Sequence, residues 1–164
     1  MLSRDDRNYI GVYPMKGKML NVRGETITKL NDNKEITEIK QIIGLEHGKK
    51  YSESDIKSKL RYGKIIFMTD QDLDGSHIKG LGINVIDSEW KSLINIPKFI
   101  GYMNTPILKA TKGKEIMQFY NNGEFEVWKQ TIDISKYHIK YYKGLGTSTG
   151  KEFKEYFENK KIVN

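Results

Sequence analysis

The sequence contains no cysteine, only three prolines and no long apolar run. Without cysteine the chain can form neither a disulfide nor a thiolate metal site, a composition that suits a reducing, intracellular compartment. No stretch approaches the roughly 20 apolar residues of a membrane-spanning helix, and residues 1–6 lack the apolar core of a secretory signal peptide. We therefore expect no disulfide framework and no membrane partner.

Arginine is scarce too, and lysine carries most of the positive charge. The 28 Lys and Arg side chains exceed the 21 Asp and Glu side chains, which gives a formal net charge of +7. A basic domain favours a polyanionic partner such as nucleic acid, although lysine-rich surfaces also serve solubility alone. Charge by itself does not decide between these two interpretations.

Strands alternate with helices along the chain, which predicts an α/β domain with a mostly parallel sheet flanked by helices. The length of 164 residues and the hydrophobic content of 37% predict a single domain over residues 1–164, with residues 1–8 as a loose N-terminal end. We predict strands at 9–13, 65–68, 105–110, 116–120 and 138–142, and helices at 26–30, 33–43, 54–60, 77–94, 124–130 and 151–160. The segment 97–102 is predicted to be a connection.

Three aspartates follow the most apolar predicted strand, 65–68, at alternate positions: Asp70, Asp72 and Asp74. Residues two apart in extended chain share a face, so these carboxylates can converge where the strand ends. Each like-charge pair at about 5 Å costs roughly 3 kcal/mol at an effective dielectric near 20, and a divalent cation would offset that cost. The alternative is a solvated acidic turn in which one aspartate caps the next helix. His77, in the first turn of that helix, is expected to be neutral and hydrogen-bonded to an aspartate.

The same stretch matches the first half of an EF-hand calcium loop. Its twelfth position holds Leu81 instead of the bidentate glutamate, and a strand precedes it instead of a helix. The EF-hand interpretation is therefore rejected.

Two basic, glycine-containing turns could contact phosphate groups: Pro14–Lys18, with Lys16 and Lys18, and Lys143–Thr147, with Gly144 and Gly146. For the first turn alone, solvated lysines are the favoured interpretation. The second follows a strand and precedes a helix, a geometry that suits phosphate, but its spacing is not that of a nucleotide-binding P-loop. Together with the aspartates, these turns are the arrangement expected of a site that handles a phosphodiester.

Three stretches resemble one family: P-M-K-G-K-M-L-N-V at 14–22, L-R-Y-G-K-I-I-F-M-T-D-Q-D-L-D-G-S-H-I-K-G-L at 60–81 and K-Y-Y-K-G-L-G-T-S-T at 140–149. The chain is similar to the Toprim domain of eukaryote-type type IIA DNA topoisomerases. The resemblance implies a Rossmann-like Toprim fold and a subdomain of an ATP-dependent enzyme that cuts both strands of one DNA duplex and passes another through it.

The resemblance also implies roles for individual residues. Asp70 and Asp72 would hold Mg²⁺ together with a glutamate from the first Toprim strand, and Asp74 would support a second metal position. Lys18, Lys143, Gly144 and Gly146 match residues near the DNA backbone, and Lys16 stands where the family usually has arginine, which keeps the charge and loses the bidentate grip on phosphate.

The implied partners are double-stranded DNA, the remainder of a topoisomerase chain and a second copy of it in a homodimer. ATP would bind a domain outside this sequence. The implied location is the nucleus of a eukaryotic host, or a viral or cytoplasmic factory.

Two parts of the family pattern are missing from the sequence: the E-G-D-S-A motif with its metal-binding glutamate, expected before Met1, and the domain with the nucleophilic tyrosine. We therefore expect a partial Toprim domain that is inactive alone, with no catalytic residue of its own. Two alternatives stay open: a stand-alone Toprim-like nuclease or primase module, and a basic DNA-binding module with a structural cation.

Overall fold

The computed structural model describes residues 2–164, which form an α/β fold. The helices are α1 (Ile27–Asp32), α2 (Lys34–Ile43), α3 (Glu53–Lys59), α4 (Leu73–Glu89), α5 (Lys91–Ile94), α6 (Asn122–Lys129) and α7 (Gly150–Asn159). The strands are β1 (Ile65–Phe67), β2 (Ile100–Met103), β3 (Leu108–Lys112), β4 (Glu115–Phe119), β5 (His138–Tyr141) and β6 (Ile162–Val163). No helix within residues 2–164 has both the length and the apolar character needed to cross a bilayer.

The strands form two small sheets, in the orders β1-β2-β6 and β4-β3-β5. Among residues 2–164 only β1 and β2 pair in parallel, with Ile65 opposite Ile100, while β6 pairs antiparallel to β2. The second sheet is antiparallel throughout. Strands β3 and β4 are joined by the two-residue turn 113–114, which permits only antiparallel pairing. The expected α/β class is confirmed, but the predicted mostly parallel sheet is shown only in part, because within residues 2–164 parallel pairing is confined to β1 and β2.

Helix boundaries follow capping side chains. Asn33 accepts a hydrogen bond from the Ile36 N–H at 3.0 Å at the start of α2, and Gly44 ends that helix with a φ of +87°. Ser52 caps α3 in a capping box that includes Asp55, and the helix begins at Glu53, one residue before the predicted start. Thr149 forms the same motif with Glu152 at the start of α7.

Several predicted elements were wrong. Residues 9–13 form no strand, because Tyr9 and Val12 are exposed and the segment pairs with neither sheet. The predicted connection 97–102 contains most of β2, whose place is set by pairing with β1. Helix α4 begins at Leu73, earlier than predicted, and the chain breaks at Trp90 before α5.

Three buried clusters organise the molecule. The largest packs α4 and α5 against the first sheet and contains Leu81, Val85, Ile86, Trp90 and Leu93, which recur near helical spacing. The second lies between the β3–β4–β5 sheet and α6, and the third joins Met103 of β2 to Tyr156 and Phe157 of α7. Because α7 packs on β2, the neighbour of β1, the chain around residues 142–149 lies close to the end of β1.

Close packing of β1 on α4 depends on Gly82. A Cβ atom there would lie 2.4 Å from Cε1 of Phe67, so only glycine lets strand and helix approach at this distance. The turn between them, residues 68–72, carries the first two predicted metal ligands.

Candidate functional site

Asp70 lies just beyond β1, where the predicted acidic turn meets the predicted glycine-rich loop. Its Oδ1 accepts a hydrogen bond from the Leu145 backbone N–H at 2.5 Å. Gly144 is equally close, since a Cβ atom there would lie 2.8 Å from Asp70 Oδ2. Two segments 75 residues apart in sequence are therefore in direct contact.

Asp72 caps helix α4. Its Oδ1 accepts from the Gly75 N–H at 2.7 Å, and a free helix N–H group is thereby satisfied. Gly75 is buried, and a Cβ atom there would lie 1.9 Å from the carbonyl oxygen of Asp70. The turn 70–75 is therefore compact because residue 75 has no side chain.

Asp74 is exposed and forms an ion pair with the Pro14–Lys18 turn. Lys18 Nζ lies 2.8 Å from Asp74 Oδ1, and this hydrogen bond and charge lower the pKa of the Asp74 carboxyl. His77 adds a smaller lowering effect on that pKa. The predicted hydrogen bond between His77 and an aspartate is wrong, because His77 points into solvent with no such bond within residues 2–164.

Each aspartate thus has its own protein partner. Across residues 2–164, no three His, Asp or Glu side chains come together closely enough to surround one metal ion. Asp70 and Asp72 each use Oδ1 toward a backbone N–H, and neither Oδ2 has a hydrogen-bond partner in the described chain. Carboxylate oxygens are the donor type that Mg²⁺ prefers, so these two groups fit a partial magnesium site. The assignment of Asp70, Asp72 and Asp74 as metal ligands stays a prediction.

The surroundings of Asp70 are polar and tightly packed. A cavity of about 10 Å³, the size of one water molecule, is lined by residues that include Asp70, Gln71, Thr105, Tyr142 and Ser148. Thr69, directly before Asp70, is buried, and its hydroxyl has no hydrogen-bond partner in the described chain.

The predicted DNA-contacting residues differ in how they contact the aspartates. Lys16, Lys18 and Lys143 are all exposed, but only Lys18 forms an ion pair among residues 2–164, the one with Asp74. Gly146 is exposed, and a Cβ atom there would meet nothing within 4 Å, whereas Gly144 packs on Asp70. The DNA-binding assignment of these residues stays a prediction.

Sequence reasoning missed Glu152, which is 7% exposed and lies near the loop. It accepts hydrogen bonds from Tyr142 Oη at 2.5 Å, from Lys140 Nζ at 2.8 Å and from the Thr149 N–H at 2.7 Å. Burial by itself would raise the pKa of Glu152, but the hydrogen bonds from these three residues lower it to about 2. The pattern T-x-x-E at 149–152 is a capping-box signal and could have identified the contact with Thr149.

Comparison with protein families gives two matches. The Toprim domain matches residues 2–98, and the C-terminal associated domain of TOPRIM matches residues 103–163. The division of the chain into one or two domains stays open, and a single domain remains our prediction.

Similar proteins are DNA topoisomerases. The chain is 53% identical over 154 residues to DNA topoisomerase 2 of Drosophila melanogaster, covering 93% of this chain and 11% of that protein. It is 51% identical over 156 residues to DNA topoisomerase 2-alpha of Homo sapiens, covering 94% of this chain and 10% of that protein.

A solved structure is similar as well. The Plasmodium falciparum topoisomerase II DNA-binding, cleavage and re-ligation domain superposes with a TM-score of 0.82 at 50% identity, covering 90% of this chain and 20% of that one. The chain spans about a tenth of the length of the curated relatives it matches. The predicted Toprim fold is confirmed. The chain belongs to the Toprim domain family and is homologous to eukaryotic DNA topoisomerase 2.

Proposed function

We propose that this chain is the metal-holding subdomain of an ATP-dependent type II DNA topoisomerase and supports Mg²⁺-assisted cleavage and religation of double-stranded DNA. The observation that carries the proposal is the contact of the Leu145 N–H with Asp70 at 2.5 Å. That contact places a carboxylate suited to Mg²⁺ beside a glycine-rich loop that begins with Lys143. A metal ligand and a phosphate-binding loop in one place are what phosphodiester chemistry needs.

In this proposal the Asp70 and Asp72 carboxylates would hold Mg²⁺, and Asp74 would support a second metal position. When bound, Mg²⁺ supplies Lewis-acid stabilisation of the scissile phosphate and of its leaving 3′ oxygen. The Leu145 N–H fixes the orientation of the Asp70 carboxylate. Exposed lysines neutralise backbone phosphates, and Gly146 leaves room for the DNA backbone to approach.

Lys18 exchanges partners when DNA binds. Its ion pair with Asp74 is exposed on both sides, with 51% and 75% of the two side chains accessible. Exposed pairs of this kind contribute little to stability, so Lys18 can leave Asp74 for a phosphate at small cost. The exchange also frees Asp74 for the second metal position.

The partners of this function are double-stranded DNA, the remainder of a topoisomerase polypeptide and a second copy in a homodimer. ATP is bound by a domain outside these residues. The proposed location of this activity is the nucleus of a eukaryotic host, or a viral or cytoplasmic factory.

A Mg²⁺ titration of the chain, followed by amide chemical shifts, tests the metal assignment. We expect weak binding, saturating only at millimolar Mg²⁺, because two carboxylates leave most of the ion's coordination to water. The shifts should concentrate on residues 70–75 and 143–146 and disappear in Asp70→Asn. Glu126→Gln, an exposed change on α6, is the matched control and should bind like the parent chain. Tight binding, or shifts that survive Asp70→Asn, would refute the assignment.

A further inference from the structure

The loop Lys143–Ser148 has little packing of its own. Every residue in it is exposed or half-buried. Its internal hydrogen bonds are short-range, from the Thr147 N–H to the Gly144 carbonyl at 3.1 Å and from the Ser148 N–H to the Leu145 carbonyl at 3.1 Å. These bonds shape the loop but do not attach it to the rest of the protein. The position of the Leu145 amide relative to Asp70 therefore depends on what holds the two ends of the loop.

Both ends of the loop are held by one carboxylate. Before the loop, Tyr142 Oη donates to Glu152 Oε1 at 2.5 Å. After the loop, the Thr149 N–H donates to Glu152 Oε2 at 2.7 Å, and the Thr149 hydroxyl donates to the same oxygen at 3.1 Å. Glu152 lies on α7, which the third buried cluster fixes to β2. The carboxylate thus ties the loop to a rigid part of the fold.

Charge balance makes this attachment costly to break. Lys140 Nζ lies 2.8 Å and 3.0 Å from the two carboxylate oxygens of Glu152. Lys109 Nζ lies 3.8 Å from Glu152 Oε1. Removal of the carboxylate would leave the half-buried Lys140 without its counter-charge and the Tyr142 hydroxyl without its acceptor. Ser148 and Tyr156 add a second contact at the far end of the loop, 3.1 Å between their hydroxyls.

We propose that Glu152 is a positioning residue: by holding Tyr142 and Thr149, it keeps the loop Lys143–Ser148 in place and the Leu145 amide against Asp70. The positioning of the loop stands on these contacts alone. Its consequence for metal binding rests on the proposed function, because it requires Asp70 to be a magnesium ligand.

The test compares Glu152→Gln, Tyr142→Phe and the control Glu155→Gln, which removes from the same helix a carboxylate that contacts Lys109, as Glu152 does, but is not bonded to the loop. Amide hydrogen exchange reports directly on the Leu145 hydrogen bond. We expect Leu145 exchange to accelerate by about tenfold or more in Glu152→Gln and by a smaller factor in Tyr142→Phe, with the β3–β4 hairpin unchanged. Glu155→Gln should exchange like the parent chain.

The second readout is Mg²⁺ affinity in folded protein, which a purely structural role would not change. We expect it to fall by about tenfold in Glu152→Gln, as for groups that orient a metal ligand, and to stay unchanged in Glu155→Gln. Unchanged Leu145 exchange in Glu152→Gln would overturn the proposal. It would also be overturned if exchange accelerated equally in the loop and in the β3–β4 hairpin of both Glu152→Gln and Tyr142→Phe. If amide exchange accelerates only in the loop of Glu152→Gln while the parent chain shows no Mg²⁺ response at Asp70, the positioning role is supported and the metal role of Asp70 is refuted.

Discussion

Asp70 and Glu152 are both acidic side chains near the glycine-rich loop, but their surroundings differ. Glu152 is enclosed by Lys140, Tyr142 and Thr149, which together satisfy both of its oxygens. Asp70 has one backbone donor, from Leu145, and retains an oxygen for a ligand. A fully satisfied carboxylate stabilises structure, whereas a partly satisfied one at a strand end is available for chemistry. This difference is why we propose metal binding for Asp70 and positioning for Glu152.

Lys18→Ala tests phosphate contact at the scale of one residue. We expect duplex DNA of every sequence to bind more weakly, and the slope of log affinity against log salt to decrease by about one unit, because one counterion-releasing contact is lost. The measurement is fluorescence anisotropy over a range of salt concentrations. Lys129→Ala, which removes another ion-paired lysine, one that is half-buried and lies on α6, should leave the slope unchanged. An unchanged slope for Lys18→Ala, or a marked sequence preference in the parent chain, would count against backbone contact.

Glu152→Gln tests the buried carboxylate through pH. The pKa of Glu152 is lowered from its ordinary 4.5 to about 2 in the folded chain, so its stabilising effect is complete above pH 4.5 and is lost as pH falls toward 2. Between pH 6 and pH 3 the parent chain should therefore lose about 2 kcal/mol more unfolding free energy than Glu152→Gln.

Urea unfolding at a series of pH values measures this difference. The groups facing the carboxylate are Lys140, Lys109, Tyr142 and Tyr156, and Glu155 shares Lys109 with it. Glu155→Gln should follow the parent chain's pH profile. Parallel profiles for the parent chain and Glu152→Gln would disprove the buried, hydrogen-bonded state of this carboxylate.

At the scale of elements, sequence patterns predicted those parts of the fold that are determined locally. Strand β1 and helix α2 follow from apolar pattern and capping residues. Strands β2 and β6 were missed because they are short and exist through pairing with neighbours distant in sequence. The segment 9–13 has strand-forming residues but no partner, and its prediction failed for the same reason.

In the candidate site, too, the features that residue type determines were predicted, and those that depend on contacts between distant segments were not. The aspartates and the glycine-rich loop were visible in the sequence because side-chain type and spacing carry the signal. Their contact is made by a backbone N–H, that of Leu145, and backbone donors leave no trace in residue identity. The role of Glu152 likewise depends on Lys140 and Tyr142, which reach it only because β5 and α7 lie side by side.

Two glycines of α4 test the turn that carries the aspartates. Gly75→Ala should destabilise the chain by about 3 kcal/mol or more, because a Cβ atom there would overlap the Asp70 carbonyl oxygen at 1.9 Å. Gly80→Ala, in the same helix but exposed and without neighbours within 4 Å, should stabilise it by about 0.5–1 kcal/mol. Chemical denaturation measures both. Equal effects of the two substitutions would show that the 70–75 turn is not closed as described.

At the scale of the whole molecule, under the proposed function the chain supplies only part of what DNA cleavage requires. It provides Asp70, Asp72, the glycine-rich loop and exposed lysines, and it spans about a tenth of the relatives' length. Cleavage also needs a nucleophile and a complete set of metal ligands held in position, from which most rate enhancement comes. We therefore predict that the 164-residue chain neither cleaves nor relaxes DNA alone.

The proposed role of Asp70 and Asp72 in Mg²⁺-assisted DNA cleavage is tested most directly in a hybrid enzyme. The 154-residue segment of Drosophila melanogaster DNA topoisomerase 2 that matches this chain is replaced by the corresponding residues of this chain. Supercoiled-plasmid cleavage and relaxation are then measured with Mg²⁺ and ATP, and DNA binding is measured in parallel to show that each variant is folded. The variants are Asp70→Asn, Asp72→Asn, Asp74→Asn and the control Lys129→Ala.

We expect the hybrid to cleave and relax DNA. Cleavage should be lost in Asp70→Asn and in Asp72→Asn while DNA binding remains, and it should decrease less in Asp74→Asn. Lys129→Ala should act like the hybrid itself, and the chain alone should leave the plasmid intact. Cleavage that persists in Asp70→Asn would contradict the metal assignment. Nicking by the chain alone that requires Asp70 would contradict the subdomain account and favour a stand-alone nuclease.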